Sequence, residues 1–211
     1  MATKPIPDIV VGRLPVYLRA LSAMSVEGKS VTSSQELATR LGLTSAQIRK
    51  DLSHFGEFGK QGLGYNVVFL IEQLRRILKL GQLWDVVLVG AGDLGRALAN
   101  YQGFHDRGFR IRMVFDSNPS KIGQTLAGFV ISDSARVVEL VRREGIRVAM
   151  LAVPAAQAQP ATAHLIEAGV QAILNYAPTT LIVPRGVYVQ NIDPAVHLQR
   201  MTYYLEPPGP R

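Results

Sequence analysis

The sequence predicts an α/β protein in two parts, on three observations. The hydrophobic period changes near residue 81, from short-linked helical repeats to apolar runs of strand length. Those runs alternate with helical stretches, the order of a parallel sheet. A glycine triplet, "GAGDLG" at 90–95, stands between the first run and a helix. The boundaries expected are 1–81 for an N-terminal domain, 82–193 for the sheet domain, 194–206 for a final helix and 207–211 for a flexible Pro/Gly-rich tail. A chain of 211 residues with 47% hydrophobic content can fill the cores this requires.

The N-terminal elements follow in order. Residues 9–26 are periodic, with Pro15 marking a kink or a late start. In "SSQELATRLG" Ser33 and Glu36 form a capping box, and Gly42 holds the helix-stopping position. "TSAQIRKDLSHFG" opens on a second box, Thr44 with Gln47. Its Ile48, Leu52 and Phe55 share an inward face, Gln47, Arg49, Lys50 and His54 face outward, and Gly56 stops it. Ala38, Gly42 and Ile48 take the packing positions of a helix-turn-helix. Three glycines in "FGKQGLGY" predict a tight hairpin, and "VVFLIEQLRRILKLG" predicts an amphipathic helix closed by Gly81. Helix-turn-helix plus hairpin is a winged helix, whose second helix enters a DNA major groove. Ser45, Gln47, Arg49 and Lys50 are then candidates for base or phosphate contact. Ser53, His54 and Tyr65 extend the set, and Lys60 stands at the wing tip.

Charge supports a polyanionic partner. The chain carries +7, and the excess is uneven: 11 Lys/Arg against 6 Asp/Glu in residues 1–80, 12 against 10 in 81–211. The absence of cysteine excludes disulfides, thiolate catalysis and thiolate metal sites. No apolar run approaches the ~18 residues of a membrane span, and "MATKPIPDIVVGRLP" has no secretory pattern. A cytoplasmic location without a membrane partner is the expectation.

In the second part "DVVLVG", "RIRMVFD", "RVAMLAV", "QAILNY" and "VYVQNID" read as strands. Gly90, Gly92 and Gly95, with Ala91, Asp93 and Leu94 between them, follow a buried strand and open a helix. That places backbone amides against a pyrophosphate, as in a Rossmann-type dinucleotide-binding domain. Asp116 ends the next strand, 21 positions past Gly95. A carboxylate there suits an adenosine ribose diol and repels a 2′-phosphate, favouring NAD(H) over NADP(H). Asp93 is an odd neighbour for a phosphate unless it points to solvent. A small NAD-dependent oxidoreductase is the alternative. Against it, His54, His105, His164 and His197 are scattered, and little chain remains for a substrate domain. Tyr101 is a candidate proton donor or simply a helix-end aromatic. No catalytic residue and no metal ligand set is assigned.

The motifs "VGRLPVYLRAL", "SSQELATRLGLTSAQIRKDLSHFGEFGKQGLGY", "VVLVGAGDLGRALANYQGF", "FDSNPSKIG", "LAVP", "ILNYAP" and "VQNID" together resemble the Rex redox-sensing repressors, from about residue 9 to 205. The resemblance implies a homodimer on a palindromic operator that is released by NADH, with NAD+ competing, so that the NADH/NAD+ ratio is sensed. It extends the cofactor-binding set to Tyr101, Ser117, Lys121, Val153, Pro154, Asn175, Ala177 and Pro178. It also implies a polar relay of Arg19, Tyr101 and Asp193 that couples the two ligands. The final helix, "PAVHLQRMTYYL" with Leu198, Met201 and Leu205 on one stripe, would be swapped between subunits. Some relatives carry phenylalanine after the relay aspartate, where this chain has Pro194. Ala195, Val196 or another group must then cover the nicotinamide.

Overall fold

The structure is a computed structural model that describes residues 6–60 and 63–205. The side chain of Lys60, residues 61–62 and the tail expected at 207–211 lie outside the described residues. The chain divides after Gln82 into two compact units.

The first unit opens with α1 (Asp8–Val26), which runs through Pro15. Its stripe of Val10, Leu14, Tyr17, Leu21 and Met24 is buried, the spacing of one helix face. One expectation is corrected here: by length and composition α1 is apolar enough to cross a membrane. Arg13 and Arg19 interrupt the apolar run in sequence, and Leu14, Tyr17, Leu21 and Met24 of the stripe pack into the core of the unit.

After β1 (Val31–Thr32) come α2 (Ser34–Leu41) and α3 (Ser45–Ser53). Ser33 accepts the Glu36 N–H at 3.0 Å and Thr44 accepts that of Gln47 at 3.1 Å, so the N-cap half of each predicted box forms. The Glu36 carboxylate turns to the Thr32 hydroxyl and to Lys29. Gly42 takes the left-handed conformation at φ 65, and Ala38 and Ile48 are fully buried at the crossing. Phe55 lies beyond the end of α3 yet packs on the same core. β2 (Gly59–Lys60) and β3 (Gly64–Asn66) form the hairpin, and β1 completes an antiparallel sheet of order β1-β3-β2. A side chain at Gly64 would meet the Thr32 carbonyl at 2.4 Å, which explains a glycine there.

α4 (Val67–Ile77) ends four residues before Gly81. Lys79 supplies the left-handed turn at φ 57, with Leu80 N–H on the Arg75 carbonyl at 2.8 Å and Lys79 N–H on that of Arg76 at 3.1 Å. This is the two-bond helix stop that glycine usually serves.

The second unit contains β4 (Trp84–Val89), α5 (Asp93–Asn100), β5 (Phe109–Asp116), β6 (Thr125–Leu126), β7 (Phe129–Asp133), α6 (Val137–Glu144), β8 (Val148–Leu151), α7 (Ala155–Glu167), β9 (Ala172–Asn175), β10 (Tyr188–Asn191) and α8 (Pro194–Thr202). The sheet order is β10-β9-β8-β4-β5-β7-β6, parallel except for β6. Strands β6 and β7 escape the sequence reading: the hairpin turns on Ala127 and Gly128, at φ 51 and 84, rather than on the usual Asn-Gly. Apolar side chains cover both faces, including Val137, Leu140, Val141, Ala158 and Leu165 from α6 and α7 on one and Ala99 from α5 on the other. The chain leaves β4 toward β5 and returns through α6 to β8, so the carboxyl ends of β4 and β8 flank the point where strand order reverses. Ligands bind in that crevice in open α/β sheets.

α8 buries nothing among the described residues. Val196, Leu198 and Met201, followed by Tyr203, Tyr204 and Leu205, are each more than half exposed.

Candidate nucleotide cleft and DNA-facing helix

At the reversal point lies a cavity of about 580 Å³, within the range of small-molecule sites. The sequence-predicted residues that line it are Gly90, Gly92, Asp116, Ser117, Lys121, Val153 and Pro154. The three glycines serve different ends. A Cβ on Gly90 would meet the Ala152 carbonyl oxygen at 2.2 Å, and one on Gly95 would meet the Gly90 carbonyl oxygen at 1.8 Å. Both are therefore required by packing. Gly92 has nothing within 4 Å of that position, and it caps the N-terminus of α5 without a side-chain bond. Open space before a helix N-terminus fits a pyrophosphate, whose charge the helix dipole and free amides favour.

Asp116 is buried, and its carboxylate is already engaged. Oδ2 accepts the Ala91 N–H at 2.8 Å and Lys121 Nζ at 3.3 Å, while Oδ1 accepts the Asn118 N–H at 2.8 Å. Burial opposes its ionisation, but the two amides and the ammonium outweigh burial and hold the carboxyl below the usual carboxylate range. The side chain thus ties the glycine loop to the end of β5. Asp93 is exposed in the first turn of α5 and does not line the cavity. Leu94 is also exposed, whereas Ala91 and Gly95 are buried.

Eight of the predicted contacts do not line the cavity: Ala91, Asp93, Leu94, Gly95 and Tyr101, and three that follow β9 or end it. Asn175 is fully buried and holds the turn after β9: its amide donates to the carbonyls of Ala177 and Thr179 and to Asn191 Oδ1, and its Oδ1 accepts the Ala177 N–H. Asn175, Ala177 and Pro178 do not line the cavity. Instead Gln157, Pro160, Ala161 and His164 of α7 form a wall at i, i+3, i+4 and i+7, facing Asn118, Ser134 and Val137. The helical spacing of that wall was readable, but nothing in the sequence said which face of α7 met the cleft.

Tyr101 follows α5, is 46% exposed and stacks edge-on with Phe104 at 4.9 Å. Asp193 caps α8, its Oδ1 accepting the Ala195 N–H at 2.9 Å. Pro194 takes the first position of that helix, where a missing N–H costs nothing. Arg19 is exposed on α1.

On the first unit, Arg49, Lys50, Ser53 and His54 are exposed, and Ser45 and Gln47 half-exposed, along the outer side of α3. Arg49 donates to Ser34 Oγ at 3.0 Å and Ser53 to the Lys50 carbonyl at 2.8 Å. Tyr65 is less free than predicted: its ring lies over Gly59, where a Cβ would meet it at 2.8 Å, and packs on the core. Burial pushes its phenol up.

The residue that sequence reasoning missed in α3 is Asp51, only 2% exposed. Arg13 Nε and Nη2 donate to its two oxygens at 2.6 and 2.7 Å, and the Tyr17 hydroxyl donates at 2.5 Å. Burial disfavours the Asp51 carboxylate, but these donors outweigh it and lower the pKa, while burial and the same contact push the Tyr17 phenol up.

Comparison with known proteins fits both halves. A model described as a CoA binding domain matches residues 82–179, and one for a DNA-binding protein N-terminus matches residues 5–53. The redox-sensing transcriptional repressor Rex of Roseiflexus sp. is 53% identical over 199 residues, covering 94% of this chain and 90% of that protein. The chain belongs to the Rex family. The Rex of Streptomyces coelicolor is 43% identical, covering 96% of this chain and 78% of its own. A solved repressor, RSP, in complex with β-NAD+ and operator DNA superposes with a TM-score of 0.90 at 36% identity, over 96% of this chain and 93% of that one. RSP in complex with β-NADH gives 0.87 at 34%, over 96% and 95%. Rex proteins are transcriptional repressors, so the oxidoreductase alternative falls.

Proposed function

We propose that this chain represses transcription as a homodimer on a palindromic operator and lets go when NADH occupies the second unit. The observation that carries the reading is Gly92, the one glycine of the triplet whose Cβ position is empty and faces a cleft at a helix N-terminus. The dinucleotide's pyrophosphate would rest against Gly92 and the first amides of α5. Val153 and Pro154 would flank it, and Ser117 and Lys121 would lie toward the adenosine. Asp116 would meet the ribose with whatever acceptor capacity its three donors leave. The bound cofactor supplies a nicotinamide whose charge differs between its two redox states; the protein's own groups do the rest.

On the DNA side α3 supplies Gln47, Arg49 and Lys50, with Ser45, Ser53, His54 and Lys60 as further contacts. A two-fold dimer gives each such helix one half-site. The unburied apolar stripe of α8 supports the dimer, since Leu198, Met201 and Leu205 would be covered by a second copy. The relay of Arg19, Tyr101 and Asp193 would connect the sites. With Oδ1 on the cap, Asp193 offers Oδ2 to Tyr101 in one state and to Arg19 in the other. A repressor of this kind works beside the chromosome, hence in the cytoplasm.

The test is a gel shift on the DNA upstream of the protein's own gene, titrated with NADH and with NAD+. Release by NADH, reversed by excess NAD+, is the expected outcome. Binding that ignores both nucleotides would refute the reading.

A further inference from the structure

The contact between Asp51, Arg13 and Tyr17 has no place in the nucleotide cleft or in the outward face of α3. We propose that it is a clamp that sets the rotation of α3, making Arg13, Tyr17 and Asp51 positioning residues for operator recognition. The inference rests on α3 being the helix that reads DNA.

Consider what else holds α3. Its inward face offers two large apolar anchors, Ile48 and Leu52, both buried in the core of the unit. Apolar packing of that kind specifies a fold before it specifies one orientation. A buried carboxylate gripped by a guanidinium does the opposite. Desolvation cancels much of the energy such a pair supplies, so its contribution to stability is small, whereas its geometry is strict. Two parallel N–H bonds from one planar fork admit little rotation, and the Tyr17 hydroxyl adds a third fixed point from the next turn of α1.

The location of the clamp decides what that strictness serves. Arg13 and Asp51 line one wall of a surface groove whose other members include Gln47, Lys50 and His54. Asp51 is thus directly behind the outward-facing side chains, adjacent to Lys50 and one turn from Gln47. A side chain on a helix surface stands about 5–6 Å from the axis, so a turn of about 20° moves its tip by roughly 2 Å. That is enough to break a base-edge hydrogen bond, while a contact to a phosphate made by a long flexible cation survives it. The clamp therefore governs discrimination between sequences more than affinity for DNA as such.

The test uses the full-length protein, an operator duplex obtained by in-vitro selection with wild type, and a scrambled duplex of the same composition. Arg13→Lys keeps the cation and loses the fork; Tyr17→Phe removes one hydroxyl; Asp51→Asn removes the charge. Operator affinity should fall roughly tenfold or more in Arg13→Lys and Asp51→Asn, and several-fold in Tyr17→Phe. Scrambled-duplex affinity should hold, or rise in Asp51→Asn, because a negative charge leaves the DNA-facing helix. NADH affinity should be unchanged in all three. A role confined to stability would lower the melting temperature and leave the operator-to-scrambled ratio alone, and an unchanged ratio in Arg13→Lys and Tyr17→Phe would overturn the proposal. A parallel fall on both duplexes would overturn it as well. Should Asp51→Asn fail to fold, the other two variants decide. If selection yields no preferred duplex for wild type, the reading of α3 fails first and takes the clamp with it.

Discussion

The proposed nucleotide cleft and the proposed DNA-facing helix would hold a phosphate by opposite means. In the cleft the binding groups would be backbone amides, their places fixed by missing side chains and by one buried carboxylate, Asp116. On α3 they would be long, exposed side chains, and what is fixed is the helix that carries them. A site made of backbone fails all at once when its geometry is disturbed. A surface made of charges fails by degrees, and responds to salt. On the proposed reading the two units would respond to ligands differently for the same reason: one would need a single well-shaped occupant, the other any polyanion plus a sequence to choose among.

The difference can be broken most sharply at Gly95. Gly95→Ala puts a methyl 1.8 Å from the Gly90 carbonyl oxygen, so backbone must move. A loss of about 3–5 kcal/mol in the stability of the second unit is expected, read as a fall in its melting temperature. The first unit should keep its own transition. If Gly95→Ala melts like wild type, the loop is not built as described.

The contrasting prediction for the DNA face concerns salt. If a dimer neutralises about 6 phosphates, log K for operator should fall with log salt at a slope near −5, roughly a thousandfold between 50 and 200 mM. NADH affinity over the same range should move little, because the cleft's amides are partly shielded from solvent. A flat response on the DNA side would remove the distinction drawn between the two surfaces.

Gly92→Val is a smaller change made in empty space. The protein should fold and bind operator normally, yet bind NADH about 100-fold more weakly, equivalent to roughly 3 kcal/mol of lost contact with the pyrophosphate. Isothermal titration with NADH checks it. Full affinity in that variant would place the nucleotide somewhere other than Gly92.

These glycines also show how much was legible from the sequence. The triplet, the strand before it and Asp116 after it form a local pattern, so the cleft's floor could be read directly. So could the caps Ser33 and Thr44, and the helix-turn-helix positions Ala38, Gly42 and Ile48, because each acts within a few residues of itself. What stayed hidden depends on distant pairing. Asp51 looks like one more solvated charge in "IRKDLSH", and only folding brings Arg13, 38 positions away, onto it. Asn175 resembles a ligand contact by its place in "ILNYAP", but its amide is spent on the turn it sits in. The α7 wall carries no motif at all. Lys79 replaces glycine in a left-handed turn, so Gly81 drew the helix end too late.

The coupling relay gives the smallest expected effect. Asp193→Ala or Tyr101→Phe should leave each ligand's own affinity nearly intact and weaken their mutual antagonism by about tenfold, or roughly 1.4 kcal/mol of coupling. Asp193→Ala also removes the α8 cap, so about 1 kcal/mol of local helix stability should go with it. Tyr101→Phe carries no such side effect and separates the two. Undiminished antagonism in both variants would retire the relay.

A repressor released by NADH must carry two unlike sites that oppose each other. Linkage makes that measurable from the cleft alone: NADH affinity is determined by fluorescence with and without saturating operator duplex. Operator should weaken NADH binding by about 10- to 100-fold, the same factor by which NADH weakens operator binding. Equal NADH affinity in the presence and absence of operator would contradict it.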